Sequence, residues 1–159
     1  MEKVVEILKE KGKTIATMES CTGGGVANAI TNIEGASEVF RFGAVTYSNE
    51  YKIKMGVNSK IIEEYSVYSI ETAMEMSKNI SKFANADFGI GITGKINRED
   101  VNNKFGDNNK IFISIYETEK DKYFNFELMS NPNLDRVENK EIIIKEVTNK
   151  LTKVLCRND

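Results

Sequence analysis

No histidine occurs anywhere in the 159 residues. That one absence removes the usual general base of acyl transfer, the commonest transition-metal ligand and the haem axial ligand together. Any acyl-transfer chemistry must therefore draw its base from lysine, tyrosine or a carboxylate. A hard, oxygen-liganded ion such as magnesium is not excluded on this ground, but no metal site and no cofactor are expected. The two cysteines, Cys21 and Cys156, lie far apart with no paired spacing, so neither a disulfide framework nor a zinc site is suggested. Cys156 reads as a helix residue. An excess of positive charge is missing too: 22 Lys plus Arg stand against 24 Asp plus Glu, a net charge of −2, which offers no field to hold a polyanion. Nucleic acid is not an expected partner. No stretch approaches the roughly 20 apolar residues that span a bilayer. The opening Met1 to Leu8 segment reads as an amphipathic helix rather than a signal peptide. The expectation is a cytoplasmic protein with no membrane partner.

With 40% hydrophobic residues over this length, one domain over residues 1–159 with one continuous core is expected. Val4, Ile7 and Leu8 fall at helical spacing before Gly12, predicting a first helix over 2–11. A short strand, Thr14 to Met18, runs into the turn Ser20 to Gly25, and Val26, Ala27, Ala29 and Ile30 continue as a second helix. A strand, glycine-rich turn and helix in that order bring backbone N–H groups and the positive helix end to the turn. Val39 to Ser48 reads as a second strand ending in the polar cluster Thr46-Tyr47-Ser48-Asn49. Ser69 is an N-cap for a helix with a buried stripe of Ala73, Met76, Ile80, Phe83 and Ala84. Phe88 to Thr93 is an apolar strand containing two glycines. Residues 95–109 hold five asparagines and little periodicity, predicting a long polar loop that is either functional or mobile. Lys110–Glu117 and Lys122–Leu128 make an antiparallel hairpin through Thr118 to Asp121. Pro132 then breaks the chain, and Ile144, Val147, Leu151, Val154 and Leu155 mark a C-terminal helix.

Helices alternate with strands early and a hairpin closes late, so the fold class is α/β: a mixed sheet with helices on both faces, in three layers. Ligands of such sheets sit at the carboxyl ends of the strands. The Ser20 turn, the Thr46 to Asn49 cluster and the Thr93-Gly94 corner all belong to that edge.

A hydroxyl at a helix N-terminus beside glycines suits a nucleophile, because the positive helix end stabilises an alkoxide and the oxyanion of a tetrahedral intermediate. Ser20 is the candidate; equally, Ser20 or Thr22 serves as an ordinary helix cap. Cys21 beside it is a second candidate if the helix end lowers its pKa.

Three strings are specific in combination: Ala16-Thr17-Met18-Glu19-Ser20-Cys21-Thr22-Gly23-Gly24, then Gly35-Ala36-Ser37, then Val45-Thr46-Tyr47-Ser48-Asn49-Glu50-Tyr51-Lys52. In order and spacing they resemble the CinA C-terminal domain family. The likeness extends through Ser69, the Ala73 to Met76 helix, Thr93-Gly94 and Asp135-Arg136. Members of that family are nicotinamide-nucleotide amidohydrolases, which convert nicotinamide mononucleotide to nicotinic acid mononucleotide and ammonia. The resemblance implies Ser20 as nucleophile and Lys52 as its base, with Tyr47 as an alternative proton carrier or orienting group. To act as a base, Lys52 must have a pKa lowered from about 10.4 toward 7–8; taken alone it reads as a solvated surface lysine. Thr22, Gly23 and Gly24 are expected to hold phosphate or oxyanion through backbone N–H groups, and Thr46, Ser48, Asn49, Thr93 and Gly94 to line the substrate site. Arg136, whose planar fork binds two oxygens, is the candidate for phosphate, and is otherwise an exposed helix-start arginine. The expected partners are a small nucleotide substrate and a second copy of the chain in a homo-oligomer, most simply a dimer.

The chain also departs from that family. A Gly/Pro-rich loop and a Lys-Pro-Val-Gly-Thr lead into the next strand normally follow the Thr-Gly corner. Here the corner runs into Lys95-Ile96-Asn97-Arg98-Glu99-Asp100, and the strand begins after Gly106-Asp107-Asn108-Asn109. Two readings follow: an active amidohydrolase, or a nucleotide-binding or regulatory module that kept the pocket and lost turnover.

Overall fold

The computed structural model describes residues 1–157. The elements run α1 (Glu2–Lys11), β1 (Ile15–Glu19), α2 (Gly25–Thr31), a single 3-10 turn (Ala36–Glu38), β2 (Phe40–Val45), α3 (Asn49–Lys54), α4 (Ser59–Tyr65), α5 (Ile70–Ala84), β3 (Phe88–Gly94), β4 (Lys110–Glu117), β5 (Lys122–Met129) and α6 (Arg136–Leu155). Local sequence explains most boundaries. Gly12 ends α1 in the left-handed region at φ 60°, and the amides of Gly12 and Lys13 return to Lys9 O and Leu8 O, which satisfies the last carbonyls of the helix. Ser69 caps α5 by accepting from Thr72 N at 3.1 Å, as expected. Asp135 and Glu138 form a reciprocal capping box at the start of α6.

The five strands form one mixed sheet in the order β2-β1-β3-β4-β5. β1 is parallel to both β2 and β3, whereas β3–β4 and β4–β5 are antiparallel. The expected hairpin is therefore present and closes one side of the sheet. Side chains of α1, α2 and α6 bury against one face with Ile15, Ile90, Ile92 and Ile113. On the opposite face α5 covers Ala16 and Met18 with Met76 and Ile80. The α/β architecture with helices on both faces is thus what the sequence pattern implies.

The two glycines of β3 have a packing reason. A Cβ on Gly89 would lie 2.0 Å from Ser77 O, and one on Gly91 2.2 Å from Ala73 O. Only bare backbone lets α5 settle that closely on the central strand.

Some expectations need correction. Phe83 does not join the buried stripe of α5: it is 64% exposed and packs its ring against Phe42 of the edge strand, with centroids 5.1 Å apart. The second strand ends at Val45 rather than Ser48, because Ser48 turns the chain by accepting from Tyr51 N and capping α3. The short helices α3 and α4 give too few residues for a helical stripe to stand out. Cys156 sits just past the last turn of α6, as its exposed C-cap.

Candidate active site

Strand register assembles the site. Glu19, the last residue of β1, pairs with Val45 on one side and Ile92 on the other. The next residues continue the ladder: Thr46 N donates to Glu19 O at 2.8 Å and Ser20 N to Ile92 O at 3.0 Å. The Ser20 turn, the Thr46 cluster and the Thr93-Gly94 corner are therefore neighbours. They lie where the connection from β1 runs one way to β2 and the chain then crosses to β3 on the other side, the usual ligand position in α/β sheets.

A cavity of about 890 Å³ opens at this edge, lined by Ser20, Cys21, Tyr47, Ser48, Asn49, Lys52, Gly94 and Arg136 among the expected residues. Such a volume suits a small ligand. At its floor the Lys52 ammonium nitrogen lies 3.1 Å from Ser20 Oγ and donates to Thr46 O at 2.7 Å. Lys52 is only 2% exposed, since the capped α3 turns it inward beneath the exposed Tyr51 and Ile53. It is no solvated surface lysine. Burial lowers its pKa from 10.5 to about 8, with the charge of Asp100 acting in the opposite direction. A neutral amine beside a serine hydroxyl is thereby accessible near neutral pH.

The turn is held from within by Glu19. This fully buried carboxylate accepts from Thr22 Oγ1 at 2.6 Å, Val26 N at 3.0 Å and Ala27 N at 2.8 Å. The first-turn amides of α2 are thus taken by the protein's own anion, and the expectation that this helix end faces the ligand does not hold. Ser20 is not the cap either: Gly24 occupies that position without a side-chain bond. Gly23 and Gly24 adopt φ 62° and 89°, conformations that glycine supplies at little cost. They turn the chain beside the cavity, outside its lining.

Cys21 is 3% exposed, and burial pushes its thiol up to about 12. A thiol so placed gives no thiolate at ordinary pH, so its candidacy as nucleophile falls. Tyr47 is 65% exposed at the mouth, where its hydroxyl accepts from Arg136 Nη2 at 3.2 Å. Arg136, exposed at the start of α6, also donates to Ile96 O at 3.3 Å. Thr46 contributes its carbonyl, and its buried hydroxyl has no hydrogen-bond partner among the described residues. Thr93 is buried too, and donates to Val67 O at 2.9 Å. Ser48 caps α3, and Asn49 Nδ2 reaches Asn103 Oδ1 at 3.3 Å.

Sequence reasoning missed three residues of the opposite wall. Tyr68 donates to Asp100, and Lys95, 3% exposed, donates to Phe105 O at 2.9 Å and Asn108 Oδ1 at 3.3 Å. The Lys95 ammonium also stands 5.0 Å from the centre of the Tyr68 ring. The available signal was the departure of residues 95–109 from the resembled pattern. Tyr68 carried none, standing one place before a cap. Among the described residues, no group of three or more Cys, Asp and Glu gathers as a metal site, and no helix is long and apolar enough to cross a membrane.

The family model described as the CinA C-terminal domain matches residues 1–155. The chain belongs to that family. A putative competence-damage inducible protein of Thermoanaerobacter sp. is 52% identical over 96 residues, covering 59% of this chain and 23% of the relative. A CinA-like protein of Kosmotoga olearia is 48% identical over 94 residues, covering 58% of this chain and 23% of the relative. The matched stretch is thus about a quarter of these relatives' length. Among solved structures, the competence damage-inducible protein A of Klebsiella pneumoniae superposes with a TM-score of 0.89 at 21% identity, covering 99% of this chain and 95% of that one. A competence/damage inducible protein of Agrobacterium tumefaciens gives 0.82 at 24% identity, with 98% and 96% covered. At these identities the likeness establishes the fold.

Proposed function

We propose that this chain is an amidohydrolase that converts nicotinamide mononucleotide to nicotinic acid mononucleotide and ammonia. The observation that carries the reading is the buried Lys52 nitrogen 3.1 Å from Ser20 Oγ, in a protein without histidine. Neutral Lys52 takes the Ser20 proton as Oγ attacks the carboxamide carbon. The same proton then goes to the departing nitrogen as the C–N bond breaks, leaving an acyl-serine and ammonia. Water, deprotonated by Lys52, attacks the acyl carbon and regenerates the Ser20 hydroxyl. Cys21 lines the cavity beside Ser20, and its amide, like that of Thr22, donates to no backbone acceptor among the described residues, which suits an oxyanion site in the nucleophile turn. Arg136 and Tyr47 at the mouth suit the nucleotide phosphate. Besides Lys52, the cavity wall carries Lys95, Arg98 and Arg136 against Glu99 and Asp100, a balance that favours an anionic ligand.

The departure at residues 95–109 supports the second reading, a binding or regulatory module. Incubating the purified protein with nicotinamide mononucleotide and following ammonia separates the two. Turnover that falls by roughly 10³-fold or more in Ser20→Ala, with an unchanged circular dichroism spectrum, is the expected result. Calorimetric binding without ammonia release would instead identify the module.

A further inference from the structure

The Lys95–Asn109 segment places one carboxylate on the cavity wall under unusual constraint. Asp100 Oδ1 accepts from Asn102 N at 2.9 Å, and Oδ2 accepts from Asn103 Nδ2 at 3.0 Å and from the Tyr68 hydroxyl. Those donors, the Tyr68 hydroxyl foremost, hold its pKa below the ordinary carboxylate value, so it stays ionised. Yet among the described residues no Lys or Arg lies within ion-pair distance of Asp100. The charge is fixed in direction by neutral donors and left without a cation. It faces the same cavity as Ser20 and Lys52 and is close enough for its field to act on the Lys52 nitrogen.

We infer that the Tyr68–Asp100 pair is the subsite for a positively charged ring, selecting carboxamides borne on a quaternary pyridinium over the same amides on a neutral ring. The inference rests on the amidohydrolase reading of the site and assigns its substrate selectivity. In a nicotinamide nucleotide the ring nitrogen carries a full positive charge meta to the carboxamide carbon that Ser20 attacks. A carboxylate on the facing wall therefore meets the ring charge while the amide sits at the floor. An anion held by hydrogen bonds rather than by a lysine keeps its field for the ligand, in a partly screened site where one charge pair matters. The cationic groups elsewhere on the wall remain for the phosphate, so opposite ends of the zwitterion meet opposite charges.

The test compares nicotinamide mononucleotide with its 1,4-dihydro form, which keeps ribose, phosphate and carboxamide but has a neutral ring. Dissociation constants are measured by calorimetry on the Ser20→Ala protein, so that no turnover intervenes, and on Ser20→Ala combined with Asp100→Asn. With Asp100 present the cationic form should bind about tenfold more tightly, the ratio equivalent to 1.4 kcal/mol. Asp100→Asn, which keeps the shape and an acceptor oxygen, should erase that preference by weakening only the cationic ligand. Tyr68→Phe, which removes the donor that aims the carboxylate, should reduce the preference partway. A preference that survives Asp100→Asn, or equal weakening of both ligands as expected of a ribose-hydroxyl acceptor, would overturn the inference and leave the amidohydrolase reading standing. Failure of both ligands to bind the Asp100-containing protein would overturn both readings.

Discussion

The two walls of the cavity are built on different principles. The floor and near wall, carrying Ser20 and Lys52 with the Thr46 carbonyl bonded to Lys52, are fastened to three adjoining strands through the ladder at Glu19 and through the Glu19 carboxylate. Every side chain in that set is buried. The far wall is a loop whose order comes from its own polar groups: Lys95 reaches to Phe105 O and Asn108, Arg98 N to Asn108 O, and Asn97 Nδ2 to Asn131 O at 2.6 Å. Val101 and Phe105 are largely exposed there. A wall tied into the core opens only with the whole domain, whereas a solvent-facing loop opens locally at lower cost. On the amidohydrolase reading, chemistry that needs fixed distances belongs on the first wall and ligand selection on the second, which tolerates a changed sequence without disturbing Ser20.

The largest expected effect breaks the near wall at its charge. Lys52→Arg should be as damaging as Lys52→Ala, each lowering ammonia release by roughly 10³-fold or more, because a guanidinium keeps its proton and cannot act as a base. Substantial turnover by Lys52→Arg would show that only charge is needed there, and Tyr47 would become the leading base. A smaller effect is expected from Glu19→Gln, which keeps the shape but replaces an anion receiving two backbone amides and a threonine hydroxyl. Chemical denaturation should show a loss of about 2 kcal/mol, and kcat should fall with it because the Ser20 turn is no longer pinned. Smaller still is Lys95→Met on the far wall. KM should rise several-fold with kcat nearly unchanged, the pattern of lost uniform binding. If Lys95→Met instead lowers kcat as much as Glu19→Gln does, the two walls are not separable.

Much of the fold was legible because long periodic segments and turn chemistry agree. α1 with its Gly12 stop, the Ser69 cap, the glycine-bearing β3 and the β4–β5 hairpin all follow from spacing. The strand-end location of the site followed from the alternation of helices and strands. What stayed hidden depends on contacts between distant residues. Phe83 fits a helical stripe, yet it faces outward over the edge strand to meet Phe42, and no periodicity distinguishes those outcomes. The burial of Lys52 required α3, a helix of six residues, too short to announce itself. Glu19 looked like part of a motif and proved to be the internal cap of α2, which left the helix end unavailable to a ligand. Tyr68, Lys95 and Asp100 meet only because the loop folds back on the turn before α5.

On the amidohydrolase reading, Lys52 also ties function to stability. Its folded-state pKa is depressed, so between about pH 8 and 10.5 the unfolded chain holds the proton that the folded chain has released, and stability contributed by this group rises with pH across that window. Below pH 8 the buried ammonium costs up to roughly 3 kcal/mol, a burden that an inactive Lys52→Met protein should shed as a raised Tm.

The pH dependence of kcat/KM for ammonia release from nicotinamide mononucleotide decides whether Lys52 is the base, because it reports the titration of the free enzyme's base. With neutral Lys52 as that base, the rate should climb with pH and level off with a midpoint near the lysine's value of about 8. A profile that is flat between about pH 6 and 10, or one that keeps the same midpoint in Lys52→Arg, would contradict it.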